Sequence, residues 1–208
     1  MGPSNGSDMP PRKTRLSGEE RRRTFLDAAA SLIGRTGVDS VTMEGVAAEL
    51  GVNKSLPYRY FTNRDDLLLQ LFDRETDAFD ARVGAAVAAA ETFDERLRAV
   101  IDSYLDEVLS SSLLVTQFEV SRPDDDPYEL RRRERAVGIV SFVADLLRDE
   151  YPLTRRDAVI VASILASASQ GVVGLAQHGG FSRRRIVDTY VQMCRGAASS
   201  VAHPPSRT

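Results

Sequence analysis

Thr42 to Phe61 read Thr-Met-Glu-Gly-Val-Ala-Ala-Glu-Leu-Gly-Val-Asn-Lys-Ser-Leu-Pro-Tyr-Arg-Tyr-Phe, a stretch with little conformational choice. Val46, Ala47 and Leu50 fall on one helical face, and Gly51 can take the positive φ that stops a helix. After Val52, the short side chain of Asn53 can cap the free N–H groups of a second helix that carries Lys54, Ser55, Tyr58 and Arg59 outward. Two short helices meeting at a glycine turn form a helix-turn-helix, in which the second helix enters the DNA major groove and the first crosses the backbone.

The charge distribution agrees with that reading although the total does not. Residues 1–64 hold ten Lys/Arg against seven Asp/Glu and the rest hold 17 against 23, so the overall −3 divides into +3 and −6. The basic part carries the motif, and an acidic remainder keeps nucleic acid from binding elsewhere. With 208 residues and 42% hydrophobic content the chain can build a core. No apolar run approaches the ~20 residues that span a bilayer and the N-terminus is polar, so a cytoplasmic protein is expected. The single Cys194 forms no internal disulfide, and His178 and His203 share no metal-ligand spacing with it, so neither metal nor cofactor is expected.

In order along the chain, residues 1–17 are Gly-, Pro- and Ser-rich and are expected to be a disordered basic arm. Its Arg12, Lys13 and Arg15 either reach DNA or merely solubilise the chain. Ser17 with Glu20 opens a first helix whose Phe25, Ala29, Leu32 and Ile33 recur at helical spacing, with Arg21, Arg22 and Arg23 as candidate phosphate contacts. Thr62 with Asp65 is read as the capping box of a long helix that serves first the head and then the body. Thr92 with Glu95 opens the next helix, Ser110 to Ser112 break it, and Leu113 to Val120 are read as helical. Asp126, Pro127 and Glu129 start a helix to about Glu150 that turns Val137, Val140, Ala144 and Leu147 inward. Thr154 with Asp157 begins a helix of small apolar residues that ends at Gly179-Gly180, and Ser182 caps the last helix.

The expected domains are a helix-turn-helix head over residues 18–64, a helical body over 65–200 and a disordered tail over 201–208. Small apolar residues on the last two helices allow close approach by a neighbour. Because palindromic DNA requires a two-fold protein, Ala158, Val161, Ala162, Leu165, Ala168, Val172, Ile186, Tyr190 and Met193 are expected to form a homodimer face.

Several spaced residues together resemble the TetR family of transcriptional regulators. These are Ala28-Ala29 with Leu32, Gly37, Thr42, Gly51-Val52, Tyr58, Phe61 and Asn63-Arg64-Asp65-Asp66-Leu67-Leu68, covering about residues 21–72. The chain departs from the pattern at Pro57, where leucine is more usual and where the missing N–H predicts a slight bend in the recognition helix. It departs also at Glu44, read as a charge suited to the helix start, and at Arg64, which replaces the commoner lysine with a fork able to grip phosphate. The resemblance implies an all-α chain with an N-terminal three-helix DNA-binding domain and a larger C-terminal ligand-binding and dimerisation domain. It further implies a repressor that binds a palindromic operator as a homodimer and is released by a small-molecule effector.

Lys54, Ser55 and Arg59 are the candidates for base edges or adjacent phosphates, and Thr42, Tyr58 and Arg64 for positioning contacts to phosphate. Tyr60 and Phe61 are expected to pack beneath the recognition helix. An effector, largely apolar, is expected near Tyr104, Phe118 and Phe142, with Glu119 and Asp102 allowing a cationic one. A helical enzyme using Glu119 or Asp102 is the competing reading, though no paired carboxylate and histidine spacing supports it; a protein-binding adaptor is the third.

Overall fold

The computed structural model describes residues 17–109 and 129–203. Among them the chain is all-α: α1 (Gly18–Thr36), α2 (Met43–Glu49), α3 (Arg64–Ala88), α4 (Phe93–Leu109), α5 (Glu129–Glu150), α6 (Arg155–His178) and α7 (Arg183–Ala202). The expected basic arm with Arg12, Lys13 and Arg15, the break at Ser110, the helix over 113–120 with Phe118 and Glu119, and the Asp126-Pro127 cap lie outside the described residues. The expected tail begins too early, since Val201 and Ala202 still belong to α7.

Side-chain caps fix where the helices begin. Ser17 accepts the Glu20 N–H at 3.1 Å while the Glu20 carboxylate accepts the Ser17 N–H at 2.7 Å, and Thr92 and Glu95 make the same exchange ahead of α4. Each such cap satisfies donors that the first helical turn leaves without partners, worth about 1 kcal/mol. The cap of α3 sits one residue later than the sequence suggests. Asn63 accepts the Asp66 N–H at 2.8 Å while the Asp66 carboxylate reaches back to the Thr62 N–H at 2.7 Å, so Asn63 is the cap, in place of a box between Thr62 and Asp65.

Burial divides the molecule into a head and a body. In the head, Phe25, Ala29 and Ile33 of α1 and Val46 of α2 pack with Phe61 and with Leu67, Leu68, Leu71 and Phe72 of α3. In the body, Leu97, Ile101 and Leu105 of α4 meet Val143, Ala144 and Leu147 of α5, Val161, Ala162 and Leu165 of α6, and Val187 and Val191 of α7. A smaller cluster joins Phe79, Val83 and Val87, farther along α3, to Leu146 of α5. Thus α3 gives its first two turns to the head and its later turns to the body. The inward stripe of α5 starts only near Val140. Val137, one turn earlier, is exposed rather than inward.

This packing corrects the expected dimer face. Ala158, Val161, Ala162, Leu165, Val172 and Ile186 are buried within the single chain, where they fill the body core and cannot meet a second copy. Small side chains on α6 admit the chain's own neighbouring helices. Ala168 and Tyr190 are half-buried, and only Met193 of the set is exposed. The expectation that no apolar run reaches membrane length also fails: α6 holds an 18-residue window of mean hydropathy 1.9, one third of it buried. The buried third is core packing of this kind.

The α4–α7 contact is laced by charge. Arg183 donates to Asp102 at 2.9 Å and to Asp106, Arg195 pairs with Asp94 at 3.0 Å, and Arg98 pairs with Asp188. Part-exposed pairs of this kind contribute up to about 1 kcal/mol each. They fix the register of two helices that the apolar core already holds together.

Candidate nucleic-acid interface and effector cavity

The turn after α2 closes as its glycine demands. Gly51 has φ +62°, the Val52 N–H reaches the Ala47 carbonyl at 3.0 Å and the Gly51 N–H reaches Ala48 at 3.1 Å. This is the Schellman pattern, and only glycine enters the left-handed region without steric cost. Asn53 then accepts both the N–H and the hydroxyl of Ser55, at 3.0 and 2.8 Å.

Beyond Asn53 the chain does not form the gently bent α-helix that the sequence suggests. Residues Lys54–Leu56 form a turn that runs into a 3-10 helix at Pro57–Arg59. Proline has no N–H to return to the Asn53 carbonyl, and the Leu56 N–H takes that carbonyl instead, at 2.9 Å. The tighter winding continues with Arg59 N–H to Leu56 at 3.1 Å and Tyr60 N–H to Pro57 at 2.9 Å. Pro57 is buried, whereas Lys54, Ser55, Tyr58 and Arg59 are exposed, so the candidate DNA-reading side chains share one short outward turn.

Beneath that turn Phe61 meets Phe25 edge-on at 6.2 Å between centroids and Tyr60 lies against Phe25 at 5.4 Å. The Arg22 guanidinium stands 5.4 Å over the Phe61 ring and donates to Gln70 at 2.7 Å, so of the arginine run at least Arg22 braces the head. Thr42 is exposed and caps α2 by accepting the Gly45 N–H at 2.9 Å.

Two charged residues take roles that the sequence does not disclose. Glu44 accepts the Tyr58 hydroxyl at 3.2 Å; partial desolvation and this carboxylate push the phenol above its ordinary pKa. Arg64 is part-buried, with Nε donating to the Val41 carbonyl and Nη2 to the Val38 carbonyl, both at 2.7 Å, and Nη1 is 3.4 Å from Asp65. Its fork grips main-chain carbonyls before α2, which corrects the expected phosphate contact. A guanidinium fits because it offers several donors in fixed directions.

In the body, a cavity of about 800 Å³ opens between α3, α4, α5, α6 and α7. Phe79, Tyr104, Phe142 and Tyr190 supply aromatic walls, and Val83, Val100, Ile101, Ile139 and Val143 aliphatic ones. Tyr104 and Phe142 are the expected effector residues that fall within the described chain, and the cavity brings them together. Asp102, the carboxylate considered for chemistry or for a cation, is bound to Arg183 instead. Asp80, absent from the residues expected at an effector site, is the one charged side chain lining this cavity among the described residues. Its position is fixed by the phase of α3, next to Phe79, which no local motif marks.

Comparisons with known proteins agree with the head and with the fold. Residues 25–71 match the family described as "Bacterial regulatory proteins, tetR family". The HTH-type transcriptional regulator BetI of Brucella anthropi is 36% identical over 81 residues, a match that takes in 39% of this chain and 42% of that protein. The chain thus spans less than half the length of this curated relative. A TetR-family transcriptional regulator from Streptomyces coelicolor superposes with a TM-score of 0.69 at 23% identity, over 89% of this chain and 97% of that one. AibR, solved in complex with isovaleryl coenzyme A and operator DNA, superposes with a TM-score of 0.61 at 21% identity, over 84% and 97%. The glycine turn and the exposed residues beyond it thus lie within a stretch that matches the tetR family of bacterial regulatory proteins, and the all-α body shares its fold with solved structures described as TetR-family regulators.

Proposed function

We propose that the chain is a DNA-binding transcriptional regulator, a repressor that holds a palindromic operator as a homodimer and releases it when a small molecule enters the body cavity. The observation that carries this reading is the double membership of α3. One rigid helix is packed into the head core by Leu67, Leu68, Leu71 and Phe72 and into the body by Phe79, Val83 and Val87, beside the cavity. A ligand that favours one body shape therefore sets the tilt of the head, and half-sites one DNA turn apart demand reading elements about 34 Å apart. In this proposal residues 18–64 are the DNA-reading unit and 65–200 the regulatory unit, with α3 between them. AibR's complex with both a coenzyme A thioester and operator DNA supports the pairing of the two tasks on this fold.

The second copy would sit on the face of α6 and α7 that is exposed among the described residues. Ile164, Ala168, Gly171 and Leu175 recur on one side of α6, with Ile164 and Leu175 62% and 45% exposed, and Met193 of α7 and Phe181 before it are exposed as well. Lys54, Ser55, Tyr58 and Arg59 would meet DNA, with Thr42 at the backbone. A salt series on random duplex DNA followed by selection of bound genomic fragments tests the function. Binding that falls steeply with salt and selected fragments with inverted half-sites are expected. Absence of DNA binding at low salt would overturn the proposal.

A further inference from the structure

Resting on the proposed effector role of the body cavity, we infer that its ligand is an amphiphilic organic cation, a quaternary or protonated amine, whose charge is received by Asp80. Among the described residues, the other polar side chains lining the cavity each hold a hydrogen bond within the chain. The Ser163, Ser167 and Ser169 hydroxyls donate to carbonyls of their own helix, those of Val159, Ser163 and Ala166. Gln170 donates to the Tyr104 hydroxyl at 2.8 Å, and the Tyr190 hydroxyl donates to the Leu165 carbonyl at 2.9 Å. Asp80 differs from all of these. Its side chain is 56% exposed and lines the cavity, and its charge partner among the described residues is Arg135, no closer than 3.8 Å and beyond hydrogen-bond range.

Arg135 is the competing recognition group, since buried guanidinium donors without partners would suit an anion. Its Nε and Nη1 indeed have no hydrogen-bond partner. Those atoms are sealed, however: the side chain is only 14% exposed, its guanidinium sits 5.3 Å over the Phe79 ring, and Arg135 does not line the cavity. A ligand in the cavity therefore meets the carboxylate and not the guanidinium. Tyr104, Phe142 and Tyr190 line the same cavity as that carboxylate, and aromatic rings attract a cation most strongly when it is desolvated. Burial also raises the Asp80 pKa against the pull of Arg135, the sign of a carboxylate whose charge its surroundings leave incompletely balanced.

The position of Asp80 gives the cation a route to the head. Leu71 and Phe72 lie eight or nine residues earlier on the same helix, about 13 Å along its axis, inside the head core. Arg135 belongs to α5, so a cation at Asp80 competes with one of the charge pairs that link α5 to α3, another being Arg131 with Asp73.

The test is calorimetry of octyltrimethylammonium, octanol and octanoate, each below its aggregation concentration, against the full chain, Asp80→Asn and, as a carboxylate control on the same helix, Asp73→Asn. The cation should bind the unaltered chain at least about tenfold more tightly than octanol or octanoate, because removing a charge-assisted contact at a part-desolvated site is felt at that scale. Asp80→Asn should bring the cation down to the affinity of octanol while leaving octanol and the helical circular dichroism unchanged, and Asp73→Asn should change neither. Octanol or octanoate binding as tightly as the cation, or a cation indifferent to Asp80→Asn, would overturn the inference and leave the effector cavity standing. Failure of all three probes to bind the unaltered chain would remove the cavity as an effector site and this inference with it, while DNA binding by the head would be unaffected.

Discussion

Tyr58 donates its hydroxyl to the Glu44 carboxylate at 3.2 Å, tying the exposed turn beyond Gly51 back to the first turn of α2. Under the proposed function the two residues stand where a nucleic acid would meet the head. An anion there opposes phosphate, but it also holds a half-exposed ring in one pose. Such a contact restrains the side chain before binding and so lowers the ordering cost that recognition must meet.

Replacing Tyr58 with Phe keeps the ring and removes the hydroxyl. Operator and random DNA should both weaken by a similar factor, on the order of threefold to tenfold, as a contact without base information predicts. Glu44→Gln keeps an acceptor for the hydroxyl and removes the repelling charge, so its affinity for random DNA should rise at low salt. Fluorescence anisotropy across a salt series measures both. A Glu44→Gln chain that binds random DNA more weakly than the unaltered chain would show that the carboxylate charge itself supports binding.

Arg64 offers a sharper test, because the motif and the geometry assign it different work. A phosphate contact would survive Arg64→Lys with little loss. The observed forks to Val38 and Val41 would not, since a lysine cannot serve both carbonyls at the guanidinium's angles. Losing charge-assisted hydrogen bonds of this kind costs about 1.5–3 kcal/mol each, so urea unfolding of Arg64→Lys should show a drop of at least about 1.5 kcal/mol. Unchanged stability with reduced DNA affinity would return Arg64 to the phosphate contacts.

Local chemistry makes the helix starts of both head and body, and the turn of the head, legible in the sequence. Ser17, Thr92, Thr154 and Ser182 announce helix starts because a cap involves only a few adjacent residues, and Gly51 announces its turn because no other residue takes that φ cheaply. Pro57 announces a disturbance but not its size. A single lost bond spoils a helix of only two turns, which has too few remaining bonds to hold the α-form. The body is less legible for a different reason. Ala158, Val161, Ala162 and Leu165 form an apolar stripe that either a second copy or the chain's own helices could cover, and periodicity does not say which. Asp80 is invisible for the same reason: its meaning depends on α5 and α6, more than fifty residues away.

That ambiguity in α6 can be resolved by placing the same charge on its two sides. Ala162 is wholly buried among the chain's own helices, so Ala162→Glu buries an unpaired carboxylate and should unfold the chain or abolish its cooperative transition. Leu175 is 45% exposed in the single chain, so Leu175→Glu should leave helical circular dichroism intact. If the uncovered face of α6 joins two copies, sedimentation should then report monomer where the unaltered chain is a dimer. A folded Leu175→Glu dimer would move the interface away from this face.

The lever itself can be weakened without touching either site. Between its head turns and its body turns, α3 passes through Asp73, Arg74, Glu75, Thr76, Asp77 and Ala78, and of these Thr76 alone is buried, donating its hydroxyl to the Phe72 carbonyl at 2.9 Å. Ala78 is exposed and packs in neither core, so Ala78→Gly removes no side-chain contact of consequence. It adds backbone freedom at the junction and costs about 1 kcal/mol of helix stability. If α3 transmits the effector signal as a rigid rod, operator affinity without ligand should change little while the coupling between ligand and operator shrinks. An ordinary coupling of about 1–3 kcal/mol corresponds to an affinity change of roughly 5- to 150-fold, and linkage requires operator to weaken ligand binding by the same factor that ligand weakens operator binding. Measuring both arms of that cycle for the unaltered chain and for Ala78→Gly separates transmission from binding. Equal coupling in the two chains would show that the signal reaches the head by a path other than the middle of α3.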